Sequence, residues 1–115
     1  MELPLVDMEK LLVRMEDDRE LIREIFEVFI EEYPERRSKF ERALSGDDTK
    51  TMVLLAHSLK GASGTLHAEP LRQLCFELEH ASRTGDSARI ASFTPLVLDM
   101  LDKTAKAMEE LKARL

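Results

Sequence analysis

The chain has 115 residues, enough for one domain and too few for two. Hydrophobic residues make up 43% and charged residues 35%, while aromatics reach only 5%, with no Trp, 4 Gly and 4 Pro; this suits one aliphatic core under a solvated surface and lacks the turn residues of an all-β fold. A net charge of -6 argues against a nucleic-acid footprint or an anionic membrane surface and makes a protein the natural partner.

One cysteine, Cys75, permits no intrachain disulfide and fits a reducing cytoplasm. Met1 to Glu9 lacks the basic-then-apolar pattern of a secretory signal, and the longest apolar runs are far short of the roughly 20 residues a membrane span needs. The expectation is a soluble cytoplasmic domain, either free-standing or cut from a longer protein.

In chain order, Val6 to Met15 carries apolar Val6, Met8, Leu11, Leu12 and Met15 and reads as a short helix capped by Asp7. Asp17 and Asp18 mark a second start. Leu21, Ile22, Ile25, Phe26, Val28, Phe29 and Ile30 then form a wide apolar face, which Phe40 and Leu44 extend past Pro34. The spacing predicts one long helix, Asp18 to Ser45, kinked or briefly broken near Pro34 and stopped by Gly46.

Asp47 or Asp48 caps a third helix, Thr49 to Leu66. Pro70 suits the first turn of a fourth, reaching about Thr84 and ended by Gly85. Asp86 or Ser87 opens the last helix, which runs to about Lys112. Phe93, Leu96, Val97, Met100, Leu101, Met108 and Leu111 face inward, and Pro95 bends its beginning. The fold expected is all-α: an antiparallel up-and-down four-helix bundle with a short extra N-terminal helix covering one end.

The chemically informative stretch is Ala56 to Leu66. At about 100° per residue, Met52, Leu55, Leu59, Ala62 and Leu66 fall on one side of the helix. His57, Lys60, Gly61 and Gly64 fall opposite, which places the histidine in solvent. Two glycines one turn apart inside a helix each cost about 1 kcal/mol relative to Ala. Either they let another protein approach the imidazole closely, or Gly64 begins the helix end and Gly61 reflects tight packing. An exposed imidazole can attack phosphorus through a neutral nitrogen. Lys60, one turn on, can contact a phosphoryl group held there, or it is an ordinary solvated lysine. Val53 lies near the His57 face and Leu54 at its edge; they dock a partner or pack on a neighbouring helix.

Ala56-His57-x-Leu59-Lys60-Gly61, followed by Leu66 and by Leu71-x-x-Leu74-Cys75-x-x-Leu78-Glu79, resembles the signature of histidine phosphotransfer domains. The resemblance implies a four-helix bundle whose His57 takes a phosphoryl group from an aspartyl phosphate on one receiver domain and passes it to another. It implies response-regulator receivers as partners, with a hybrid sensor histidine kinase among them. It also implies a carrier rather than an enzyme, with the metal and most of the catalytic machinery on the receiver and no cofactor of its own. Glu79 matches the family's polar residue beside the histidine, where a carboxylate accepting from Nδ1–H would leave Nε2 as the nucleophile. The family usually has a small residue after Leu66; His67 stands there instead, so the turn ending that helix is open to a different shape.

Other classes fit less well. His57, His67 and His80 lack paired metal-ligand spacing. Cys75 falls with Leu71, Leu74 and Leu78 on an apolar side, as a core filler rather than a hydrolase nucleophile. No Gly-rich phosphate loop supplies an ATP site, so self-phosphorylation is not expected. The rival from another class is a helical adaptor that binds a signalling partner without chemistry.

Overall fold

The structure, a computed structural model, describes residues 2–115 and holds five helices: α1 (Met8–Arg14), α2 (Arg19–Ser45), α3 (Thr49–Thr65), α4 (Glu69–Arg83) and α5 (Ser87–Lys112). Among the described residues there is no strand. Four helices start with the same device. Asp7, Asp18, Asp48 and Asp86 each accept a hydrogen bond from the backbone N–H three residues on, at 3.0–3.1 Å. Helix α4 has no side-chain cap and relies on Pro70 in its first turn, where a missing N–H costs nothing.

The connections between the four long helices share one geometry. Gly46-Asp47-Asp48, Leu66-His67-Ala68 and Thr84-Gly85-Asp86 each consist of a C-cap, a left-handed residue and the next N-cap. In each, the last residue donates back to a carbonyl five positions earlier, at 2.9–3.0 Å, closing the helix end. Gly46 does stop α2, as its C-cap, but without a left-handed backbone. It has φ -92°, and Asp47 takes the positive angle at 50°. His67 adopts φ 53° and closes α3 in the same way as its neighbours, so the histidine does not reshape that turn. A small or glycine residue suits this position because the left-handed region crowds a Cβ.

Three-residue connections force neighbouring helices antiparallel. Helix α3 packs on α4, α4 on α5, α5 on α2 and α2 on α3, which closes the four-helix ring. The N-terminal segment covers one end through buried Val6, ahead of α1, and Leu11 within it, and the Asp7 N–H donates to the His67 carbonyl at 3.0 Å. Helix α2 runs unbroken through Pro34, whose ring faces solvent. On either side of it, Tyr33 Oη donates to Asp102 Oδ1 at 2.6 Å and Arg37 reaches the same carboxylate at 3.0 Å, fastening α2 to α5.

The core is filled by Ile22, Phe26, Phe40, Met52, Leu59, Leu71, Leu78, Val97, Leu101 and Met108. Cys75 is fully buried among them, and burial pushes its thiol up to about 12. Ser63, Ser82, Thr94 and Thr104 are also buried, and each hydroxyl returns to the carbonyl four residues back at 2.6–2.7 Å. These small polar residues carry the inward lines of their helices without an unpaired group.

Some inward residues read from the sequence lie elsewhere. Leu96 is 48% exposed, because the buried line of α5 runs Ile90, Thr94, Val97, Leu98, Leu101 and leaves it on the outer side. Leu21 and Val28 are likewise exposed edges of the α2 face. On α3 the buried line is Met52, Ala56, Leu59, Ser63; Leu55 and Ala62 flank it, half-buried.

Candidate functional site

His57 sits at the middle of α3, one residue past buried Ala56, so the core stripe turns the imidazole outward. Its side chain is 62% exposed. The α3–α4 packing brings Glu79 beside it. Glu79 follows the fully buried Leu78 on α4 and is itself only 6% exposed, unlike a solvated helix glutamate. His57 Nδ1 and Glu79 Oε2 are 3.0 Å apart. An ionised carboxylate only accepts, so Nδ1 carries a hydrogen, and in the neutral ring Nε2 keeps the lone pair.

The carboxylate is held by more than the histidine. Lys60 Nζ is 2.7 Å from Oε1. Arg83 donates to Oε2 through Nη2 at 2.7 Å and Nε at 3.1 Å. Burial works to raise the Glu79 pKa, but the hydrogen bonds from Lys60, Arg83 and His57 outweigh it and hold the group at about 2. Glu79 is thus an anion throughout the neutral range and gathers three basic side chains around one buried charge.

The sequence reading places Lys60 on the open face with His57; the structure leaves 27% of its side chain exposed and turns its ammonium to α4. Gly61 is open: a Cβ built there meets nothing within 4 Å. Gly64 differs from the expected solvent-facing position. It is half-buried, and a Cβ there would touch Arg72 Cδ at 3.4 Å. Leu54 stands out at 69% exposed, whereas Val53 is half-buried and borders a shallow hollow with Lys50, Ser82 and Arg83.

Arg83 is absent from the sequence reading. Its signal was present, because Glu79 and Arg83 are an acid and a base at i,i+4, which share a helix face. Phe76 is also absent from it; the ring lies near Lys60, with the ammonium 5.8 Å from its centroid. Among the described residues, no group of three or more His, Cys, Asp or Glu is gathered to hold a metal ion, and no helix is long and apolar enough to cross a membrane.

Known proteins share this arrangement of helices. The structure is similar to histidine-containing phosphotransfer protein B from Pseudomonas aeruginosa, with a TM-score of 0.88 at 23% identity, covering 99% of both chains. It is also similar to the HPT domain of a sensor hybrid histidine kinase from Shewanella, with a TM-score of 0.85 at 24% identity over 96% of both chains. These likenesses concern the fold. In sequence, the chain is 28% identical over 91 residues to the signal transduction histidine-protein kinases BarA of Shigella flexneri and Escherichia coli, which is 79% of this chain and 10% of theirs. The chain therefore spans about a tenth of the length of those relatives. The sequence model of the Hpt domain matches residues 24–113, covering all of α3, α4 and α5 and α2 from its sixth residue on. The chain belongs to the Hpt domain family of phosphorelay signalling.

Proposed function

We propose that this chain is a phosphorelay intermediate, in which His57 accepts a phosphoryl group from the aspartyl phosphate of one receiver domain and passes it to another. The observation that carries this reading is an exposed imidazole whose Nδ1 is tied to a buried carboxylate that is ionised at neutral pH. The proposed donor is a response-regulator receiver, which a hybrid sensor histidine kinase can supply. The proposed setting is cytoplasmic, with neither nucleic acid nor membrane as a partner.

The proposed step needs no proton to move. The Nε2 lone pair attacks phosphorus, and the bond from phosphorus to the aspartyl oxygen breaks with its electrons leaving on the carboxylate. The ring, still protonated at Nδ1, becomes a phosphorylated imidazolium, and its new positive charge develops against Glu79 at 3.0 Å. Onward transfer is the reverse: a receiver carboxylate attacks phosphorus, and the N–P bond electrons return to Nε2. Lys60 and Arg83 balance Glu79, so the site is not left anionic as the phosphoryl group approaches. Gly61 leaves the approach open, and Leu54, Val53 and Gly64 border the surface a receiver would cover. The chain then acts as a carrier without an ATP site of its own.

The test incubates the chain with a phosphorylated receiver. The expected result is an acid-labile, alkali-stable label on the chain, absent in His57→Gln and retained in His67→Gln and His80→Gln. A label that survives His57→Gln overturns the assignment, and a wild-type chain that binds the receiver without becoming labelled is an adaptor instead.

A further inference from the structure

Phe76 lies on α4 three residues before Glu79, one turn back on the same side of the helix. It is the exposed aromatic nearest the site, with 51% of its surface in water. Lys60 reaches across from α3 and stands between the two. Its ammonium is 2.7 Å from Glu79 Oε1 and 5.8 Å from the centre of the Phe76 ring, within the range of a cation–π contact.

A lysine side chain has four rotatable bonds and loses much freedom when fixed. One carboxylate oxygen fixes a distance. A second anchor one turn away fixes a direction as well. The chemistry of that second anchor matters. A carboxylate in the ring's place would take another N–H from the ammonium and add a negative charge beside an incoming phosphoryl group. An aromatic face attracts the cation through its quadrupole without accepting a conventional hydrogen bond or carrying a net charge. The ammonium carries three N–H groups, more than the single carboxylate oxygen beside it can take, so donors remain for phosphoryl oxygens.

We propose that Phe76 is a positioning residue for phosphoryl transfer: its ring holds the Lys60 ammonium in place beside His57. This rests on the reading of His57 as the phosphoryl acceptor. The ring also borders a shallow hollow with Pro70, Leu74 and Met100. A purely packing role there would move stability and leave the transfer rate alone.

Phosphoramidate, a small phosphoryl donor, tests this on the full chain without a receiver, so docking contributes nothing to the rate. Phosphorus NMR follows phosphohistidine formation. A contact of the usual strength for an exposed cation–π pair corresponds to about a 2- to 5-fold change in rate. Phe76→Leu is expected to slow labelling by that factor, while Phe76→Tyr, which keeps the ring, labels at the wild-type rate. Lys60→Met is also slow, and adding Phe76→Leu to it changes nothing further. The Lys60 ε-methylene protons should be shifted upfield by the ring in the wild type and in Phe76→Tyr, and return to the random-coil position in Phe76→Leu. Wild-type rates for Phe76→Leu, or the same slowing on top of Lys60→Met, overturn the proposal. So does a random-coil shift for Lys60 in the wild type, which settles the matter even if Phe76→Leu melts early. A wild-type chain that is never labelled on His57 overturns the acceptor reading itself, and the proposal with it.

Discussion

Replacing Glu79 with Gln keeps the shape of the side chain and removes its charge. The residue is 6% exposed, and its pKa is about 2 against an ordinary 4.5. A gap of roughly 2.5 units corresponds to about 3 kcal/mol between the charged and neutral forms. His57 and Arg83 stay 62% and 57% exposed, and solvent screens their share. The expected destabilisation of Glu79→Gln at pH 7 is therefore about 1–3 kcal/mol. For a chain of this length each kcal/mol lowers Tm by about 4 °C, so Tm should fall by about 4–12 °C. The pH dependence identifies the cause. A depressed carboxyl pKa contributes stability that is fully present above the unfolded value near 4.5 and is lost as pH falls towards 2. Urea unfolding of wild type and variant should differ by a constant amount from pH 7 to about 5. Below 4.5 the gap should close by up to about 1.4 kcal/mol per pH unit. A gap of zero at pH 7, or one unchanged at pH 3, would refute the picture of a buried anion held by three basic side chains.

Three further outcomes follow from single residues. Gly61→Ala should raise helix stability by up to about 1 kcal/mol, because its site is open, whereas Gly61→Gln should keep its circular dichroism and Tm yet lose much of its transfer rate; a Gln variant that transfers normally refutes the close-approach role. His67→Gly should raise Tm by about 2–4 °C in a thermal melt, since it relieves the left-handed strain at φ 53° and keeps the carbonyl that accepts from Asp7; a lower Tm would mean that the imidazole's packing outweighs the strain. Tyr33 is the only tyrosine and there is no tryptophan, so phenolate absorbance isolates it: its hydrogen bond to Asp102 should keep it titrating above 10 in the wild type and nearer 10 in Asp102→Ala.

The helices were legible because their signals are local. An Asp before α1, α2, α3 and α5, Pro70 in the first turn of α4, and Gly46 and Gly85 at two of the breaks locate the five helices to within two residues. Register at the ends was less legible. Gly46 and Asp47 both tolerate a left-handed backbone, and only the hydrogen bond from Asp48 to the Ala43 carbonyl shows which one adopts it. Leu96 and Val28 were read inward because hydropathy does not say where an apolar stripe ends; that depends on which neighbouring helix covers its edge. At the site, the outward turn of His57 follows from periodicity alone. The burial of Glu79 does not, since a glutamate one residue past Leu78 looks solvated until α3 is laid over it. Arg83 and Phe76 flank Glu79 at four and three residues on α4, yet their relation to His57 and Lys60 exists only across the α3–α4 interface.

The buried sulfur of Cys75 turns the molecule into its own gauge. A thiol with no exposed surface, and with its ionisation displaced to about 12, does not react with an alkylating reagent while the bundle is closed. With one cysteine in the chain, every alkylated molecule has opened around the middle of α4. Under native conditions the modification rate then measures the opening equilibrium directly, without denaturant or an added probe. Glu79 lies one helical turn from that sulfur. A change of charge on His57 that strengthens or weakens the hold on Glu79 would therefore be recorded as slower or faster capture of Cys75, making the reagent a clock for the state of the histidine.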